Sequence, residues 1–301
     1  MQSSRAERFD GRVVLITGAG AGLGRAYAHH FAKRGATLVV NNRANPLRPN
    51  SANAVAAEIV ASGGTAIADE HAVQEEKSAQ AMIDAVYDRF GRLDVLICNA
   101  GVARDESKGL HELTTDAFME VFNVSLLGTL FPVKAALSRM YEARYGRIIG
   151  TTSSAGFFAA PGLTDYASAK TALLGLFRAL AVEAQPHGVL ANLISPMGWS
   201  RMAEKHFDNK YAPLLDPEHV AEVVAWLASK SCQINGEILV AGAGKVYRAT
   251  VVQSPGLPIG NGDLSQLVPT LMELSGTYEV AHGTETVSKL MAEFDTTQAN
   301  V

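Results

Sequence analysis

Cysteine is scarce: the 301 residues hold only 2, Cys98 and Cys232. Two thiols cannot build a disulfide framework, so stability must come from a buried core, and a reducing compartment suits the chain. Aromatic residues make up 7%, and the net charge is only −4 with no block of one sign. The clustered basic excess of a nucleic-acid binder is missing. No apolar run approaches the roughly 18 residues that a membrane span needs. The first residues are polar and lack the apolar centre of a signal peptide. The expectation is a cytoplasmic protein with no nucleic-acid partner and no membrane span. The 8 histidines show no His-x-x-x-His or Cys/His spacing, so no metal site is expected.

What the chain does have is alternation. Short runs rich in Val, Ile and Leu lie at 13–17, 37–41, 65–68, 94–99, 147–152, 190–195 and 237–240. Helix-period segments lie between them, at 23–33, 51–62, 75–90, 115–141, 163–184 and 217–228. Uninterrupted apolar runs are how strands buried on both faces read. The pattern predicts an α/β fold: a Rossmann-type doubly wound parallel sheet of about seven strands with helices on both faces. Residues 1–248 form one catalytic domain in this reading. After it, Ser254-Pro255-Gly256-Leu257-Pro258 and Gly260-Asn261-Gly262 break the rhythm. Residues 249–301 read as an extension, with helices expected at 264–274 and 284–294. It is too short to bury a core of its own.

The first strand runs into Thr17-Gly18-Ala19-Gly20-Ala21-Gly22-Leu23-Gly24, and a helix follows. Glycines there let the backbone turn tightly and approach a pyrophosphate held on the helix's first N–H groups. A nucleoside-triphosphate loop is excluded, because no Gly-Lys-Ser/Thr follows.

Tyr166-Ala167-Ser168-Ala169-Lys170 puts a phenol and an ammonium one helical turn apart on one face. Ser153 lies at a strand end upstream, where its hydroxyl can meet the phenol. Hydride transfer to a carbonyl builds alkoxide charge, which calls for a proton donor, and the reverse reaction calls for a base. A free tyrosine, with a pKa of about 10, is a poor base near neutrality. An adjacent Lys170 cation is expected to lower it. Ser153 can hold the substrate oxygen by a hydrogen bond that strengthens as charge develops. Neighbouring Ser154 is the less suitable hydroxyl by spacing.

The spacing of Gly18, Gly22 and Gly24, with Asn99-Ala100-Gly101 after the fourth strand, resembles the short-chain dehydrogenase/reductase family. That resemblance implies an NAD(P)-dependent enzyme acting on CH–OH donors, commonly a homodimer or homotetramer. It implies that Leu23, Asn99, Ala100, Gly101, Pro196 and Met197 line the cofactor cleft, and that His71 and Ala72 take the adenine. It gives Tyr166 and Lys170 a share in binding the nicotinamide ribose, and Asn123 a water that relays protons through Lys170.

In the dinucleotide fold an acid ending the second strand binds the NAD ribose, whereas an arginine there suits the NADP phosphate. Here the strand ends Asn41-Asn42-Arg43, so NADP is the expected cofactor, with NAD the alternative. The segment Ser200-Arg201-Met202, with Arg104-Asp105, resembles the branch of the family that contains the (3R)-hydroxyacyl-CoA dehydrogenase unit of multifunctional enzyme type 2. That branch also acts on 17-hydroxysteroids, so the resemblance implies a bulky hydrophobic small-molecule substrate. Ser153, Tyr166, Trp199 and Met202 are the candidate substrate contacts, with Phe157 and Phe158 as further apolar wall. The branch's Asp after Asn41 is Asn42 here, and the acid expected after the third strand is replaced by His71. Two rivals stand beside this reading. One is a reductase of carrier-protein thioesters or of carbonyls broadly; the other is a cofactor-binding regulator without catalysis.

Overall fold

The computed structural model describes residues 7–43, 51–104, 108–200, 204, 208–257, 259, 263–273 and 276–279. The chain divides into two compact units, Met1–Arg248 and Ala249–Val301.

The first unit is built on β1 (Val13–Ile16), β2 (Thr37–Asn41), β3 (Thr65–Asp69), β4 (Val95–Cys98), β5 (Gly146–Thr151), β6 (Val189–Met197) and β7 (Ile238–Gly242). They pair in the order β3-β2-β1-β4-β5-β6-β7, every pair parallel. Strand order reverses between β1 and β4, which opens a crevice at their carboxyl ends. An eighth strand, β8 (Lys245–Ala249), extends the sheet beside β7. Only Ala243 and Gly244 separate the two, so β8 must run antiparallel. Its side chains are mostly exposed. An edge strand of this kind carries no continuous apolar run, which is why the sequence suggested seven strands rather than eight.

Helices α1 (Gly22–Lys33), α2 (Ser51–Ala61), α3 (Glu76–Phe90), α4 (Thr115–Phe122), α5 (Gly128–Glu142), α6 (Ala155–Phe158), α7 (Thr164–Ala184) and α8 (Pro217–Ala228) connect the strands. Side chains alternate along each strand. Val14, Ile16, Leu38, Val40, Val95 and Ile97 share a core with α1, α2 and α8. Leu15, Val39 and Leu96, equally buried, point to the opposite face. The helix start at Pro217 is secured by Asp216, whose Oδ1 accepts the Glu218 N–H at 2.9 Å.

The segment expected as one helix over 115–141 is broken. Between α4 and α5 lies a π-helical turn, Asn123–Leu127. By length and composition alone Thr115–Glu142 could cross a bilayer, which amends the expectation from apolar runs. In this fold its pieces pack on α3 and α7, and Val121, Val133, Ala136 and Met140 are buried.

In the second unit β9 (Val252–Gln253) pairs antiparallel with β10 (Tyr278–Glu279), and α9 (Leu264–Glu273) lies between them in sequence. The helix expected at 284–294 lies outside the described residues.

Candidate active site

The glycine turn leaves β1 at Thr17 and enters α1. Gly22, the first residue of α1, has φ 54°, and a Cβ there would meet nothing nearer than Ser200 Cβ at 3.8 Å. Space is thus open above the helix's first N–H groups, where the dipole favours an anion. At Gly24 a Cβ would fall 2.4 Å from Gly18 O, so only glycine lets helix and turn close on each other. This cradle fits a pyrophosphate. Leu23 is half-buried and packs toward Gly198, beyond β6.

Asn99 braces the turn. Its Nδ2 donates to Thr17 O at 3.1 Å and Gly18 O at 3.2 Å, while Asn99 N–H and Ala100 N–H both donate to Thr17 Oγ1 at 3.1 Å. Thr17 opens the glycine turn in the sequence, but its role there was not readable: its side chain joins the two loops across the strand-order reversal. A Cβ on Gly101 would lie 3.3 Å from Lys170 Nζ, so the same loop reaches the reacting residues.

At the end of β2, Asn42 Nδ2 donates to Ser51 Oγ at 2.8 Å, and Arg43 is exposed. β3 ends on Asp69, two residues before His71. Asp69 accepts from Asn41 Nδ2 at 2.6 Å and from His71 N–H at 3.1 Å, and its Oδ2 lies 2.7 Å from His71 Nδ1. Ala72 N–H donates to Ser78 Oγ at 2.9 Å. Pro196 and Met197 end β6, paired with Ala241 and Gly242 and half-buried.

The turn of α7 at Thr164 brings Tyr166 and Lys170 under the carboxyl end of β5. Tyr166 is 9% exposed, with the Ser153 hydroxyl near enough to act on its phenol, and Lys170 is 3% exposed. Lys170 Nζ donates to Thr151 O at 2.7 Å and lies 5.6 Å from the Tyr166 ring centroid. Burial pushes the Tyr166 phenol up, more than the Ser153 hydrogen bond pulls it down. Burial lowers the Lys170 ammonium from 10.5 to about 8. The expectation that Lys170 lowers the phenol is therefore reversed in this geometry: desolvation dominates, and the cation is aimed at Thr151.

Asn123 opens the π turn, and its carbonyl accepts the Gly128 N–H. Its Oδ1 is buried without a hydrogen-bond partner. Such an atom is costly unless something satisfies it. The turn is tied to the loop after β4, since Ser125 Oγ donates to Val102 O at 3.4 Å. Trp199 is half-buried, with its backbone N–H donating to Leu215 O at 2.6 Å. Phe158 is 78% exposed and lies edge-on against Phe157. Met202 lies outside the described residues.

A glycine turn at the strand-order reversal of a doubly wound sheet, with a buried tyrosine and lysine beside it, defines a dinucleotide-dependent oxidoreductase. The chain belongs to the short-chain dehydrogenase/reductase family: residues 12–210 match the model described as short chain dehydrogenase. It is 38% identical over 242 residues to the mouse (Mus musculus) peroxisomal multifunctional enzyme type 2, covering 79% of this chain and 32% of that one. A short-chain type dehydrogenase/reductase of Mycobacterium tuberculosis is 36% identical over 250 residues, covering 81% of this chain and 87% of that one. The structure of full-length peroxisomal multifunctional enzyme type 2 from Drosophila melanogaster superposes with TM-score 0.81 at 30% identity, covering 96% of this chain and 50% of that one. The chain thus spans about a third of the mouse relative's length.

Proposed function

We propose that this chain interconverts a secondary alcohol and its ketone with Tyr166 as proton donor and acceptor. The substrate in this reading is a (3R)-3-hydroxyacyl-CoA or a bulky steroid-like alcohol. The observation that carries the reading is the Ser153–Tyr166–Lys170 set at the carboxyl edge of the sheet beside the glycine turn, its tyrosine and lysine buried and its serine half-buried. The relation to multifunctional enzymes over most of the chain supports the thioester class.

A nicotinamide dinucleotide, when bound, supplies or accepts the hydride. The protein's residues do the rest. The N–H groups opening α1 would hold the pyrophosphate, and Asn99 keeps the turn in shape for it. Ser153 Oγ fixes the substrate oxygen and gains strength as that oxygen becomes alkoxide. Tyr166 Oη gives that oxygen a proton in reduction and takes one in oxidation. Its raised phenol is in the acid form at neutral pH, ready for reduction, whereas oxidation must wait for phenolate. Lys170, lowered to about 8, is a cation near neutrality and can still pass a proton on. Asn123, with its unsatisfied Oδ1, holds the water through which that proton leaves.

The cofactor in this reading is NADP. The end of β2 offers the Asn42 amide and the Arg43 cation and no carboxylate, while Asp69 is engaged by Asn41 and His71. The assembly is a homodimer or homotetramer. One experiment tests the whole reading: turnover of acyl-CoA and steroid substrates with NADP and with NAD, followed at the nicotinamide absorbance. Activity confined to small sugars or polyols would refute the substrate class, and a strong preference for NAD would refute the cofactor.

A further inference from the structure

Asp165, next to the proposed acid/base, is 1% exposed. Arg104, 15% exposed by its side chain, grips both carboxylate oxygens, at 2.5 and 3.2 Å. Asp165 Oδ1 also accepts the Tyr166 N–H at 2.8 Å. Burial pushes the Asp165 carboxyl up, but the bonds from Arg104 and Tyr166 outweigh it and hold it below the ordinary range. It is a carboxylate, and a fully engaged one.

The tie has more strands than the ion pair. Arg104 Nη2 donates to Gly162 O at 3.2 Å, and the Lys108 N–H donates to the same carbonyl at 3.3 Å. Val102 and Ala103 pack on the small cluster formed by Val121, Ala155 and Tyr166. The segment running on from Asn99-Ala100-Gly101 is thereby bound to the first turn of α7. A buried ion pair is a weak way to stabilise a fold, because desolvation cancels most of the attraction. It is a strong way to fix geometry, and a misplacement of about 1 Å can cost about a hundredfold in rate.

We propose that Arg104 and Asp165 are positioning residues: together they fix the first turn of α7, so that Tyr166 Oη faces Ser153 with Lys170 beneath it. This rests on Tyr166 being the acid/base. The cation of Arg104 neutralises Asp165, and Asp165 Oδ1 holds the backbone N–H of Tyr166 itself. The pair also links the loop bracing the cofactor turn to the residue that moves the proton.

The test compares Arg104→Gln, Asp165→Asn and the double variant with the parent, using a 3-oxoacyl-CoA thioester or the steroid ketone that the parent reduces, with NADPH. Readouts are kcat, KM, the Kd for NADPH and the melting temperature. Arg104→Gln should lower kcat by about tenfold to a hundredfold, with KM and Kd within about twofold, because a stranded carboxylate disturbs α7. Adding Asp165→Asn removes that charge while its amide oxygen still accepts the Tyr166 N–H. The double variant should therefore turn over faster than Arg104→Gln alone but still more slowly than the parent. A folded Arg104→Gln with parental kcat and only a lower melting temperature would overturn the proposal. So would a loss of NADPH affinity in step with kcat. If Arg104→Gln does not fold, the double variant decides: parental kcat overturns the proposal, and a reduced kcat at parental Kd supports it. A parent that reduces no thioester or steroid refutes the functional reading and the positioning role with it. An active parent matched by its folded variants refutes the positioning role alone.

Discussion

Replacing Lys170 by methionine should abolish turnover and yet stabilise the protein. Lys170 is 3% exposed, and burial lowers its ammonium from 10.5 to about 8. The folded protein therefore binds fewer protons than the unfolded chain between those values, and stability rises with pH across the window. The favourable state is complete above 10.5 and lost as pH falls through about 8. Below that, the gap amounts to about 3 kcal/mol of burial cost. Methionine fills similar volume without charge, but it leaves Thr151 O without the donor now 2.7 Å away, a loss of about 1 kcal/mol. The net gain near neutrality is about 2 kcal/mol, or about 4–8 °C in melting temperature for a domain this size. Thermal melts of the cofactor-free parent and Lys170→Met across pH provide the assay. The difference should be largest below pH 8 and shrink toward pH 10.5, while kcat of the variant falls about a thousandfold. Parallel stability curves, or a variant less stable at neutral pH, would refute the reasoning.

Other outcomes follow from single positions. Ala159 has φ 61° and ψ 169°, a region nearly reserved for glycine, so Ala159→Gly should raise the urea midpoint by about 1 kcal/mol equivalent at unchanged slope. Arg43→Ala should lower kcat/KM for NADPH by about tenfold, an exposed charged contact of about 1.4 kcal/mol, and leave NADH nearly untouched; equal losses with both cofactors would contradict the assigned role. Because burial raises the Tyr166 phenol, alcohol oxidation should climb steadily with pH, while ketone reduction stays level until the phenol ionises. Rate profiles in both directions check this, and oxidation that slows as pH rises would count against it.

The parallel core was legible because its strands are buried on both faces and so read as unbroken apolar runs. β8 escaped notice because Lys245, Val246, Tyr247 and Arg248 are exposed at the sheet edge. The π turn at Asn123 was hidden for a different reason: the apolar pattern runs through Thr115–Glu142 without interruption, although the hydrogen bonds do not. Tyr166, Lys170 and Ser153 were readable as a spacing, and the structure brings them together. Their electrostatics were not readable, since composition does not show that desolvation outweighs the neighbouring cation. The sequence pattern puts His71 where an acid is expected; that its ring lies 2.7 Å from the carboxylate of Asp69, two residues earlier, was not readable from the pattern. The Arg104–Asp165 pair spans 61 positions, a separation at which no periodicity or motif links two residues. Its one local sign was an acidic residue directly before Tyr166.

The proton step at Tyr166 is the centre of the account, and Tyr166→Phe tests it most directly. The variant keeps the ring that packs with Val121 and Ala155 and loses only the hydroxyl. Turnover followed at the nicotinamide absorbance should fall about a thousandfold, with the melting temperature and the Kd for NADPH close to those of the parent. A Tyr166→Phe protein that keeps full turnover would contradict the account and would move the chemistry to another residue.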